Sequence, residues 1–112
     1  MTKARTTSDV VPEFIDVATL GGSLNTSNYP SSTVFYVSSA TTFTFNLDND
    51  LGYATPPEVG TTYTFVDPSL LASWFISTSV GTYYGVSGSQ SNVFSFTFTK
   101  VAANSWIGYP NY

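Results

Sequence analysis

Asp48 and Asp50, in the stretch NLDNDLGY, stand closer together than any other acidic pair in the chain. Paired carboxylates can carry glycoside hydrolysis, one as acid and the other as base or nucleophile. The same residues could open a calcium loop, which needs several oxygen ligands around one turn. That pattern then fails, because Tyr53 stands where a ligand is needed and no glutamate follows at the closing position. Glu58 or Asp67 would have to fold back to complete a shell. A solvated turn collects Asp and Asn for its own backbone reasons, so a cation at Asp48 and Asp50 stays an open alternative to a plain polar turn. The chain has no histidine and no cysteine. Ser-His-Asp triads, Cys-His dyads and the usual zinc ligand sets are thereby excluded together. We expect a non-enzymatic protein with no catalytic residues and no cofactor.

Recognition through aromatic rings is the chemistry that remains. Trp74, Trp106 and the late tyrosines Tyr83, Tyr84, Tyr109 and Tyr112 could stack on the apolar faces of sugars. The same residue types concentrate in protein interfaces, and packing is the reading we weigh more heavily. Lys3 and Arg5 join these six residues as candidate partner contacts, through pairing with acidic groups.

Charge supports contact over catalysis. Only 9% of the 112 residues are charged, against about 25% in ordinary soluble domains. No charge lies between Val17 and Leu47, and none between Pro68 and Thr99. A small monomer usually scatters charges for solubility, so stretches this long suggest surface covered by neighbouring chains or wetted by Ser, Thr and Asn. The net charge of −4 argues against nucleic acid, which requires a basic patch. The sequence also shows no signal peptide after Lys3 and Arg5 and no apolar run of membrane-spanning length.

The elements that must position these residues read as strands. Phe94, Phe96 and Phe98 alternate with Ser95, Thr97 and Thr99 in NVFSFTFTKV, which predicts a half-buried strand with a phenylalanine face. Its other face carries no charge, so we expect the strand inside a sheet or against a neighbouring subunit. Alternation recurs at Phe43, Phe45 and Leu47, at Tyr63 and Phe65, and at Trp74 and Ile76. Residues 13–20, 33–38, 81–86 and 105–109 read as further strands, with 33–38 and 40–47 joined as a hairpin through Ser38-Ser39. Asp67 and Pro68 suggest one helical turn over 68–72, and 87–91 reads as a turn. The expected fold is all-β: one β-sandwich or jelly-roll-like domain over 13–112, of about seven to eight short antiparallel strands, preceded by an N-terminal arm over 1–12.

Two segments carry a resemblance. PEVGTTYTFVD, residues 57–67, resembles a proline–valine–glycine then Tyr/Phe–Thr–Phe–x–Asp pattern of small β-sandwich modules in tailed-bacteriophage virion proteins. FTFTKVAANSWIGYP, residues 96–110, resembles the closing hairpin of those modules. The resemblance implies a virion structural protein that works by assembly. With an N-terminal arm, a capsid decoration (cement) protein is the better fit: made in the host cytoplasm, bound to the major capsid protein on the shell exterior, and a homo-oligomer, trimer or dimer. The alternative it implies is a tail-fibre or tail-appendage module that binds host-surface glycans.

Overall fold

The computed structural model describes residues 13–111. The expected arm over 1–12 lies outside them. Ten strands form two layers: β1 (Glu13–Asp16), β2 (Ser23–Asn25), β3 (Thr33–Tyr36), β4 (Thr41–Leu47), β5 (Thr62–Val66), β6 (Ala72–Thr78), β7 (Thr82–Gly85), β8 (Gly88–Ser91), β9 (Ser95–Ala102) and β10 (Ser105–Asn111). One sheet has the order β1-β3-β5-β9-β10-β7 and the other β2-β4-β6-β8. The all-β, sandwich-like expectation holds.

The path of the chain differs from the expected one. From β1 to β9 it changes sheet at every connection, so odd-numbered strands fill one layer and even-numbered strands the other. Through β6, strands that return to a layer after a full circuit run in the same direction. β1, β3 and β5 are parallel, as are β2, β4 and β6. The expected antiparallel pairing therefore applies only to β5–β9, β6–β8 and β9–β10 among the described residues. The hairpin across Ser38-Ser39 does not form, because β3 and β4 belong to opposite layers and the serines cross between them. Residues 88–91 are a strand, and no helical turn occupies 68–72. Instead the buried Asp67 carboxylate accepts hydrogen bonds from the Leu71 and Ala72 amides at 2.9 and 2.8 Å and shapes the crossing from β5 to β6.

Between the layers lies an aromatic core. Trp74 on β6 stacks on Phe65 of β5 with centroids 4.4 Å apart and meets Phe96 of β9 edge-on at 5.5 Å. Phe45 of β4 stacks on Phe98 of β9 at 4.5 Å. Each pair joins the two sheets, and offset or edge-on rings add to the gain from burial. Phe96 and Phe98 line this core as their alternation predicts. Phe94 does not: it is 48% exposed. Asn92 takes a left-handed conformation (φ +57°) just before the strand, Val93 turns inward, and the alternation begins afresh at Ser95. β9 itself lies inside the sheet, between β5 and β10, as its charge-free face suggests.

Removing the ring that bridges three strands leaves a large cavity. Trp74→Ala is expected to destabilise the fold by about 3–5 kcal/mol, read as a lowered midpoint in urea unfolding with little change in slope.

Candidate functional site

The acidic pair that invites a catalytic reading is divided between two structural tasks. Asp48 accepts the Ser27 amide at 2.8 Å and donates its own amide to the buried Thr26 hydroxyl at 3.0 Å. Asp50 turns the other way, its Oδ1 lying 2.9 Å from the Lys100 ammonium and its Oδ2 accepting the Asn104 amide at 2.9 Å. Among the described residues no group of three or more potential metal ligands occurs.

Lys100 is only 3% exposed. It follows Phe96 and Phe98 at the same spacing, so its stem enters the core face of β9. Its ammonium lies buried between the Asp50 carboxylate and the Pro57 carbonyl, the latter at 2.7 Å. The Asn104 side chain accepts the Asp50 amide at 3.1 Å, and the Asn104 carbonyl accepts the Gly81 and Thr82 amides. One buried cation and one hairpin asparagine thus fix the β4–β5 loop, the β9–β10 turn and the start of β7 together. Asp16 is committed in the same way. Its carboxylate accepts the Ser38 hydroxyl and the Ala18 amide, and the Ser38 bond first of all holds its pKa below the usual carboxylate value.

A second polar knot lies behind this loop. The Tyr53 and Tyr63 phenol oxygens are 3.1 Å apart, with Tyr53 also 2.8 Å from the Thr26 hydroxyl. Burial raises both phenol pKa values. Tyr83, folded against the core beside Phe98, is pushed up to about 12 by burial. A Cβ on Gly108 would collide with its phenol, so glycine makes room for this ring.

The eight candidate contact residues separate clearly. Lys3, Arg5 and Tyr112 lie outside the described residues. Trp74 and Trp106 are core residues, 3% and 0% exposed, which corrects their reading as surface anchors. They sit at inward positions of β6 and β10, and Trp106 stacks on Tyr63 at 5.2 Å. Tyr83 is half-buried. Tyr84 and Tyr109 are 61% and 46% exposed and stand on one surface, the outer face of the six-stranded sheet.

Register fills in the rest of that face. One row runs Phe14, Val34, Thr64, Thr97, Tyr109, and the next runs Thr62, Thr99, Ile107, Tyr84. A third holds Tyr36, Val66, Ser95 and Asn111, with Asp16 at the β1 edge. No outward residue of β3, β5, β7, β9 or β10 in these rows is charged. Phe14 and Tyr36 are the members that sequence reasoning missed. The imperfect alternation of EFIDV hides which side Phe14 faces, and TVFYVS is apolar at inward and outward positions alike.

No known family, curated protein or solved structure matches this chain.

Asp50→Asn leaves the Lys100 ammonium buried without its counter-charge and is expected to cost about 3 kcal/mol, measured by chemical unfolding. Alkali acts through the buried phenols. Their neutral form is favoured in the fold, so this stability is intact below the ordinary pKa of 10 and is lost as pH rises through about 12 for Tyr83. Phenolate absorbance is expected to appear in two stages, the buried tyrosines ionising only with unfolding.

Proposed function

We propose that this chain is a non-enzymatic assembly protein that docks through the outer face of its six-stranded sheet. We further propose that it is a virion component of the capsid decoration type, bound as a homo-oligomer to the major capsid protein on the shell exterior. The observation that carries the assembly reading is the sheet face bearing Phe14, Tyr36, Tyr84 and Tyr109, whose register rows hold one charge, Asp16 at the β1 edge. Interface cores are depleted in charge and enriched in aromatic residues, and a soluble chain rarely leaves such a patch without a use. The commitment of Asp16, Asp48, Asp50 and Asp67 to amides, a hydroxyl and one lysine also favours a structural role for these carboxylates. The virion part of the proposal draws on the resemblance of residues 57–67 and 96–110. Many symmetry-related copies would let modest contacts hold a shell. The alternative, a tail appendage that binds host glycans, loses its tryptophan platforms to the core.

Shells assembled from the major capsid protein of the same genome provide the test. The chain is expected to co-sediment with them at a fixed, saturable ratio. Tyr84→Glu combined with Tyr109→Glu places charge on the face while sparing the core, and is expected to weaken binding at least about tenfold. Unchanged shell binding by this folded variant would remove the sheet face from the proposal, and no binding by the unaltered chain would remove the capsid.

A further inference from the structure

The four-stranded sheet has an outer face of different chemistry. There a shallow concavity of about 460 Å³ runs across β4, β6 and β8. Phe75, 48% exposed, stands in its lining. Register places Thr44 on one side of Phe75 and Ser89 on the other, and the next row is Thr42, Ser73, Ser91. One aromatic ring is therefore framed by five hydroxyl side chains. Among the described residues none of those five hydroxyls forms a hydrogen bond to protein. No charged residue lines the concavity.

We propose that this concavity is a binding site for a neutral saccharide. A sugar ring presents an apolar C–H face, which the Phe75 ring can cover, and a rim of hydroxyls that both donate and accept. Ser and Thr hydroxyls answer in kind, since each has one donor and two acceptor lone pairs. Their spacing, about 4.8 Å across strands and about 6.7 Å along them, is on the scale of a single sugar ring. Charge selects among sugars. A chain of net charge −4 repels uronic and sialic acids, and the concavity offers no cation to offset that. The open, shallow form suits an internal stretch of a polysaccharide, which can lie across the sheet. This site does not depend on the assembly reading, because its residues belong to the opposite sheet.

The full isotope-labelled chain is titrated with maltohexaose, cellohexaose and N-acetylchitohexaose, with sialyllactose as the anionic comparison, and amide shifts are followed by NMR. The expected result is saturable shifts at Ser73, Phe75, Ser89 and Ser91 with at least one neutral sugar, at a Kd of about 1 mM. Phe75→Ala is expected to weaken that binding at least about tenfold with an unchanged unfolding midpoint, while Phe75→Tyr retains it. Shell binding that survives Phe75→Ala as the sugar shifts vanish separates this site from the assembly face. The proposal is overturned by silence across the neutral sugars, by a response to sialyllactose alone, or by shifts that map to Tyr84 and Tyr109. It is equally overturned if Phe75→Ala leaves sugar binding intact, or if it alters only the particle mass, which would make the concavity a contact between copies.

Discussion

The Lys100 ammonium, 2.9 Å from Asp50 and 2.7 Å from the Pro57 carbonyl, joins segments that the chain path keeps apart. The path makes such a tie necessary. Because the chain changes layer at every step from β1 to β9, no strand in that stretch pairs with its neighbour in sequence. Sheet hydrogen bonds form only after each circuit is complete, and the loops that complete the circuits must be held. A buried cation does this only if its charge is answered, since an unpaired buried ammonium is strongly destabilising. Asp50 supplies the answer from the β4–β5 loop, while Asn104 couples the same carboxylate to the β9–β10 turn. Asp16, Asp48 and Asp67 repeat the device on a smaller scale, each gathering local or crossing donors at a place where the chain leaves a sheet.

Such use of charge shapes what remains at the surface. Most acidic groups of the described chain are occupied at the ends of the sandwich, and the sheet faces are left to Thr, Ser, Val and aromatic rings. The two faces then differ. The six-stranded face carries Phe14, Tyr36, Tyr84 and Tyr109 over threonine and valine rows, a surface suited to another protein. The four-stranded face carries one ring, Phe75, among hydroxyls. The open edges are short: β1, β7 and β8 have four residues each and β2 has three. Short edges discourage indiscriminate strand pairing, which leaves face-to-face contact as the natural mode of association.

Strand identity was legible wherever one face is buried. Period-two alternation located β4, β5, β6 and most of β9 with their inward residues. Pairing partners were not legible, because Ser38-Ser39 serves a crossing between layers as well as a turn within one. β8 reads GSQS and has no apolar residue to reveal it. β2 is a three-residue strand set among glycines and asparagines. Phe94 misled because a left-handed Asn92 interrupts the extended chain ahead of it. Lys100 was readable and overlooked: the alternation that buries Phe96 and Phe98 places it on the same side, where a lysine requires a partner. For the two tryptophans residue type leaves packing, the more heavily weighed reading, and sugar platforms both open, and their positions on β6 and β10 settle them in the core.

We infer that this protein docks through its six-stranded face, where Asp16 at the β1 edge is the one charge in the register rows, and that its carboxylate-bearing loops serve the fold. Hydroxyl-radical footprinting of the chain, free and bound to assembled shells, tests it most directly. Protection of Phe14, Tyr36, Tyr84 and Tyr109 is expected on binding, with oxidation of exposed Leu51 in the β4–β5 loop unchanged. Protection confined to that loop, with the four sheet-face rings as reactive as in the free chain, would contradict it.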